Sequence, residues 1–214
     1  MGLEKIIAVA AAMPPETVTL RAVGKALGVS GQALYRYVDS TEHLVELVAA
    51  SCWPAEDSLP AASVGWYEWY RQALWLLRQS FLAVPALSKR AAMTAAVSPR
   101  QLAFTEVGLQ CFTDAGVPPS EGILYFRLLI NATFDHVLRT RAQGGGKGHV
   151  QLDDFWRAVR DSDAEYPQLR ALVENHRLIT AEEAFELAVS ALLTGIAAQA
   201  GLETPERALH GEGF

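Results

Sequence analysis

The stretch TVTLRAVGKALGVSGQALYRYVDSTEHLVEL, from Thr17 to Leu47, carries two helical signals separated by a turn signal. Thr19 can cap a short helix whose apolar positions are Leu20, Val23 and Leu27. Gly28 can take the left-handed conformation that ends such a helix, because it has no Cβ to oppose a positive φ. Val29 is an apolar residue inside the turn and is expected to be buried. Ser30 can cap the next helix. Two short helices joined by a tight, glycine-containing turn form a helix-turn-helix.

The second helix is expected from about Ser30 to Val38, and at about 100° per residue it sorts into two sides. Leu34 and Val38, with Gly31 near them, face the preceding helices. Gln32, Ala33 and Arg36 face outward, and Tyr35 and Tyr37 flank the boundary. The outward set suits base edges in the major groove of DNA. Arginine can bind guanine bidentately, glutamine can bind adenine, and an alanine methyl can touch thymine. Tyrosine hydroxyls can hold phosphates. The helix starts at Thr19 and Ser30 offer backbone N–H groups to phosphates as well. Taken alone, the same pattern also fits a helical hairpin with a solvated outer face.

Net charge is −6 over 214 residues, which does not favour a polyanionic partner. Charge at the contact face matters more than the sum. Between Met1 and His43, Lys5, Arg21, Lys25 and Arg36 balance Glu4, Glu16, Asp39 and Glu42. The acidic excess lies elsewhere, and affinity per subunit is expected to be modest. Half the residues are hydrophobic and a fifth are charged, the balance of a globular chain. The two cysteines, Cys52 and Cys111, imply no disulfide framework. No apolar run is long enough to span a bilayer. The segment Met1–Met13 carries Glu4 and Lys5 and no basic leader followed by a cleavage site, so it is read as a first helix. The expected location is the cytoplasm, with no membrane partner.

Helical periodicity dominates the rest, and breakers divide it. Pro14-Pro15 ends the first helix. A helix at Thr41–Cys52 precedes a linker bracketed by Pro54 and Pro60. A long aromatic helix runs from about Val64 to Ala83, and a short one follows to about Thr94. Ser98-Pro99 opens another, which closes at Asp114-Ala115-Gly116. Pro118-Pro119-Ser120 opens a helix to about Ala142. Gln143–Gly148 reads as a flexible glycine-rich loop. Shorter helices cover roughly Leu152–Arg160 and Ala164–Arg177. The last runs from Thr180 to Ala200, with Thr180 and Glu183 spaced as a capping box.

The pieces Thr19-Leu20-Arg21-Ala22-Val23, Leu27-Gly28-Val29-Ser30, Ala33-Leu34-Tyr35-Arg36-Tyr37-Val38 and Leu44 resemble the N-terminal domain of the TetR family of bacterial repressors. The Leu-Tyr-x-Tyr-Val run, in register with the Gly-Val-Ser turn, carries the resemblance. It is close over the first fifth of the chain and extends to the remainder as helix layout, including Tyr166-Pro167-x-Leu169. The resemblance implies double-stranded operator DNA as partner. The implied DNA-contacting residues are Thr19, Arg21, Ser30, Gln32, Ala33, Tyr35, Arg36, Tyr37 and Thr41. The family often has a phosphate-gripping lysine where this chain has Thr41, so a hydroxyl contact is expected there. The basic arm that many members carry before the first helix is almost absent.

In the larger part, Trp66, Tyr70, Ala73, Leu77 and Phe81 share one side of a helix, with Trp69, Trp75 and Leu76 nearby. These rings can be plain core, or the walls of a pocket for a flat, apolar small-molecule effector. The family's ligands sit among the middle helices, which adds Phe104, Phe112, Tyr125 and Phe126. Arg127, Asn131 and Asp135 form a stripe on the next long helix, read as a solvated or interface ion-pair row, and Arg139 can pair with Asp135. Asn131 and His136 are candidate polar anchors for the effector, though His136 also fits a core or interface position. The last helix has a bulky line, Phe185, Val189, Leu192 and Ile196. Beside it runs a line of small residues, Ala184, Ala188, Ala191, Gly195 and Ala198. Small residues permit close helix approach, within the chain or across a dimer. The family resemblance implies a homodimer built from the helices at Glu121–Ala142 and Thr180–Ala200.

No enzyme signature emerges. Gly144-Gly145-Gly146-Lys147-Gly148 lacks the spacing, the following Ser or Thr, and the preceding strand of a phosphate-binding loop. His43, His136, His149, His176 and His210 show no metal-ligand spacing, and there is no Gly-x-Ser-x-Gly elbow. No catalytic residue, metal or cofactor is expected. The fold expected is all-α. A helix-turn-helix DNA-binding domain occupies residues 1–52, and a helical ligand-binding and dimerisation domain occupies residues 53–214. The function expected is a ligand-responsive transcriptional repressor. The rival is a small-molecule-binding or adaptor protein of the same fold with little DNA affinity.

Overall fold

The computed structural model describes residues 2–84, 97–142, 157–162, 166–175 and 180–204. These residues are helical or irregular, with no strand among them. The short helix expected before Thr94 and the loop expected at Gln143–Gly148 lie outside the described residues. So do His149, His176 and His210, and part of the helix expected at Leu152–Arg160, of which residues 157–161 are helical.

Helix α1, Leu3–Ala11, buries Ile6 and Ala10 and stops at Pro14-Pro15. Helix α2, Leu20–Ala26, is capped by Thr19, whose Oγ1 accepts from the Ala22 N–H at 3.1 Å. Gly28 has φ +70°, which lets the chain double back. The Val29 N–H then reaches the Gly24 carbonyl at 2.9 Å and the Gly28 N–H reaches Lys25 at 3.2 Å. Two carbonyls left open by the helix end are thereby satisfied.

The next element differs from the expectation. It is a 3-10 helix over Gly31–Arg36, not an α-helix from Ser30 to Val38. Its bonds are short-range, Ala33 N–H to Ser30 at 3.0 Å and Tyr37 N–H to Leu34 at 2.8 Å. Two causes are visible. Gly31 is a poor helix former, and its backbone presses on α2, where a Cβ would lie 3.2 Å from Arg21 Cα. A six-residue segment held that tightly winds to three residues per turn. Helix α3, Thr41–Ser51, follows, capped by Ser40 through the His43 N–H at 3.0 Å. Ile6, Val23, Leu34, Val38, Leu44 and Val48 join these elements in one small core.

The larger core gathers around α4 (Trp66–Leu82), α5 (Pro99–Asp114), α6 (Pro119–Ala142) and α8 (Ala181–Ala200), with α7 at Pro167–Asn175. Helix α6 packs against α4, α5 and α8. Ser98 caps α5 as the sequence suggests, accepting from the Gln101 N–H at 3.1 Å. The capping box at α8 is complete: Thr180 Oγ1 accepts from the Glu183 N–H at 3.1 Å, and Glu183 Oε2 accepts from the Thr180 N–H at 2.7 Å. Thr180→Ala removes one of these bonds. It is expected to cost about 1 kcal/mol, a fall in Tm of about 2–4 °C in a chain of this length. A melt followed by circular dichroism measures it, and an unchanged Tm would show that the box contributes nothing. No helix among the described residues is long and apolar enough to cross a membrane.

Candidate nucleic-acid and effector sites

The 3-10 segment presents two chemically distinct sides. Leu34 and Val38 are buried, and Gln32, Tyr35 and Arg36 are exposed, Tyr35 to 56%. Ala33 and Tyr37 are half-buried, and the Arg36 guanidinium lies 5.9 Å from the Tyr37 ring centre. Thr19, Arg21 and Ser30 are exposed, and Thr41 is half-buried at the first position of α3. The nine expected contact residues therefore all fall on α2, the segment after it, or the start of α3. The hydroxyls of Thr19 and Ser30 are occupied as helix caps. Asp39 and His43 meet at 3.1 Å and fasten the turn between the segment and α3.

Gly24 is a position the sequence reading passed over. A Cβ there would lie 2.9 Å from Gly31 N, 3.0 Å from Val29 O and 3.1 Å from Gly31 Cα. The two arms of the helix-turn-helix thus touch backbone to backbone. The signal was a glycine in a helix interior, which costs about 1 kcal/mol against alanine and so calls for a packing reason.

Trp53 falls between the helix expected at Thr41–Cys52 and the linker bracketed by Pro54 and Pro60, where the sequence gives it no role. It is 4% exposed and meets Phe81, Phe104 and Phe134 edge-on, with centroids 6.0, 5.4 and 5.9 Å away. The end of α3 is thereby anchored into α4, α5 and α6.

Six of the expected pocket residues come together between α4, α5 and α6. Trp69 packs on Phe104 at 5.6 Å, Phe104 on Phe126 at 6.2 Å, and Phe112 joins Trp66, Tyr70 and Tyr125 at 5.8, 4.6 and 5.9 Å. Tyr70 donates its hydroxyl to the Gly108 carbonyl at 2.9 Å, and Trp69 donates its Nε1–H to Pro60 at 3.1 Å. Burial raises the Tyr70 phenol well above its ordinary pKa, which keeps it a neutral donor. Asn131 is exposed on α6, apart from these rings. His136 is half-buried in another neighbourhood, with Nε2 3.2 Å from Thr140 Oγ1 and its ring 4.9 Å from Phe185. Its pKa is lowered by burial first and by Arg78 second, so the ring is neutral at pH 7. Next to it, α4, α6 and the start of α8 border a partly open cavity of about 430 Å³.

Helix α8 turns its two lines to opposite environments. Phe185, Val189 and Ile196 are buried, together with Leu193, while Leu192 is half-buried. Ala188, Ala191, Gly195 and Ala198 are exposed, and Ala184 is half-buried. Large apolar residues are exposed beside them: Leu187 to 51% on α8, Leu124 to 60% and Leu128 to 46% on α6. Asp135 and Arg139 pair at 2.6 Å on α6, as expected from their spacing.

Among the described residues, no three His, Cys, Asp or Glu side chains gather into a metal-holding group. Both cysteines are free and buried, and burial pushes their thiols up, Cys52 to about 12 and Cys111 to about 11. Neither is a thiolate nucleophile at neutral pH.

Residues 59–200 match the sequence model of the tetracyclin repressor-like C-terminal domain. No curated protein matches the chain. Among solved structures, the TetR family protein ActR of Streptomyces coelicolor, in complex with actinorhodin, aligns at TM-score 0.79. It is 20% identical, with 94% of this chain and 99% of that one covered. The regulator SCO7222 of the same organism, a TetR, aligns at 0.74 with 21% identity, over 94% and 99%. BioQ of Mycobacterium smegmatis aligns at 0.65 with 16% identity, over 92% and 99%. At these identities the likeness to solved structures is one of fold, and it spans both parts of the molecule. Together with the match over residues 59–200, it shows that the chain belongs to the TetR family of transcriptional regulators.

Proposed function

We propose that this chain is a ligand-responsive repressor that binds a palindromic operator as a homodimer and is released by a small apolar or aromatic effector. The observation that carries the reading is the exposed edge of Gln32, Tyr35 and Arg36 on a segment whose other side, Leu34 and Val38, is locked into a core. An edge held that way needs little ordering on binding, which lowers the entropic cost. Residues 1–52 act as the DNA-binding domain and residues 53–214 as the effector and dimerisation domain. The protein acts in the cytoplasm and carries no catalytic activity.

Arg36 reads a base, and Tyr35, with the caps at Thr19 and Ser30, holds the backbone. Arg36→Ala is expected to weaken operator binding by about 1–3 kcal/mol and to relax specificity at one position per half-site. Tyr35→Phe weakens binding more evenly across sequences. Gel shifts on the DNA upstream of the chain's own gene measure both. Unchanged affinity in both variants, with folding intact, would remove the assignment. No retarded complex with the unaltered protein would favour an adaptor of the same fold.

The effector acts in the larger domain, where the rings of Trp66, Trp69, Tyr70, Phe104, Tyr125 and Phe126 supply apolar wall; His136, set apart from them against Thr140 and Phe185, is not part of that wall. ActR, which shares the fold, was crystallised with the small molecule actinorhodin. An effector changes DNA affinity only if it binds one conformation better than another. Trp53 supplies the connection, since its ring contacts tie α3 to Phe81, Phe104 and Phe134. Reciprocity requires operator DNA to lower effector affinity by the same factor.

A further inference from the structure

Arg78 lies on α4 in a row of core side chains and is 2% exposed. Two rings fix its guanidinium, Trp75 at 5.1 Å and Phe185 at 5.4 Å. Its Nε–H is buried with no hydrogen-bond partner, and no ion pair with Arg78 forms among the described residues. A buried cation in that condition is costly. Burial lowers its pKa, with Glu182 acting in the opposite direction.

Arg78 lines the cleft of about 430 Å³, together with Thr140, Arg141 and Glu182, with Leu82 and Ala181 as apolar lining. Arg141 is engaged elsewhere: its Nη2 donates to the Phe81 carbonyl at 2.6 Å and also to the Val84 carbonyl, at the end of α4. His136, beside Thr140, is neutral at pH 7. Among the described lining residues stand two arginines, Arg78 and Arg141, and one carboxylate, that of exposed Glu182. The volume falls in the range of small-molecule sites, about 300–1,000 Å³. An inorganic ion would leave most of it empty.

We propose that this cavity binds a small organic acid, whose carboxylate pairs with Arg78 and whose hydrocarbon part lies along Leu82 and Ala181. A planar guanidinium packed against two rings is restricted in advance for a planar carboxylate. The proposal rests on the reading of the larger domain as effector-binding, and it places a charged effector beside Arg78 rather than among the rings from Trp66 to Phe126. The site also lies one helical turn from Phe81, whose ring meets Trp53 at 6.0 Å. Filling it can thus bias the anchor of α3.

The test uses the full chain with 2-naphthoate, octanoate, inorganic phosphate and the neutral 2-naphthamide and octanamide. Binding is read by tryptophan emission, to which Trp75 contributes, and by thermal shift. Each acid that binds should do so about tenfold or more tighter than its amide, the worth of a charge-assisted bond. Arg78→Gln should lower acid affinity by about the same factor and leave the amides unchanged. Arg78→Lys should retain part, and Glu182→Gln should tighten the acids. Ligand-free Arg78→Met should melt at or above the unaltered protein, since an unpaired buried charge is removed. Equal affinity for acids and amides would overturn the proposal. So would unchanged acid binding in Arg78→Gln, no acid binding at millimolar concentration, or a lower melting temperature for Arg78→Met. Phosphate binding with both acids silent would mean an adventitious ion only, and would overturn it too. The operator assay separates the two readings. Acid binding that leaves operator affinity unchanged keeps the site and refutes the effector role. Operator release by an amide, equal in Arg78→Gln and the unaltered protein, keeps the effector role and refutes the site.

Discussion

Gly24→Val is expected to destabilise the chain by about 3 kcal/mol, at the upper end for overpacking, and to remove operator binding with it. The added Cβ would meet Gly31 N at 2.9 Å, Val29 O at 3.0 Å and Gly31 Cα at 3.1 Å. All three are backbone atoms, which cannot rotate aside as a side chain would. Relief requires the 3-10 segment to lift from α2, and that segment carries Gln32, Tyr35 and Arg36. Lifting it also strains the 2.9 Å bond from the Val29 N–H to the Gly24 carbonyl. Valine recovers little helix propensity, being β-branched. Alanine recovers about 1 kcal/mol against glycine, so Gly24→Ala should be the milder variant. Gly28→Ala gives a contrast of mechanism. Nothing lies within 4 Å of a Cβ at Gly28, yet its φ is +70°. It should cost about 1–2 kcal/mol through backbone conformation alone. Denaturation curves and operator titrations measure all three. A Gly24→Val protein with ordinary stability and operator affinity would mean that the two arms do not cross so closely.

The helix-turn-helix was legible because its signals are local. Thr19, Ser30, Gly28 and the apolar residues between them act within four or five positions of themselves. The winding of Gly31–Arg36 was not, because it depends on Gly31 meeting Arg21 from another element. Helix ends in the larger domain came out within about two residues wherever Pro, Gly or a cap marked them, as at Ser98-Pro99 and Thr180. The aromatic residues of α4 could be counted from the sequence, but not how their rings interlock. Asn131 lies on the exposed side of α6, which periodicity alone did not separate from the pocket side. Leu193 rather than Leu192 fills the core beneath α8, a one-position choice that helical spacing leaves open. Arg78 had a readable signal: a lone arginine on the apolar face that runs from Trp66 to Phe81. That it forms no ion pair among the described residues is a tertiary fact.

Gly195→Trp is expected to convert the protein from dimer to monomer and to weaken operator binding by about 100-fold or more, the scale of lost bivalency. The site discriminates well between folding and assembly. A Cβ at Gly195 has nothing within 4 Å in its own chain, and the residue is exposed in line with Ala188, Ala191 and Ala198. A Cβ there meets no described atom of its own subunit within 4 Å, so helicity should survive the substitution. Any loss of assembly must then come from a partner that needs the space. Helix α6 also exposes Leu124 and Leu128, and α8 exposes Leu187, to 46–60%. Covering such residues on folding or assembly stabilises by about 1.5–3 kcal/mol for each side chain fully buried. In a two-fold dimer each contact occurs twice, which multiplies the effect of one substitution. The consequence for DNA is geometric. Half-sites lie about 34–36 Å apart or a multiple of that, and one dimer reaches both. A monomer carries a single Arg36 edge on a module with no net charge between Met1 and His43, so one half-site alone holds it weakly. Sedimentation velocity at micromolar concentration reads the assembly, and operator titration of the same samples reads the affinity. A monomeric unaltered protein would refute the dimer. A dimeric Gly195→Trp with full operator affinity would move the interface away from α8.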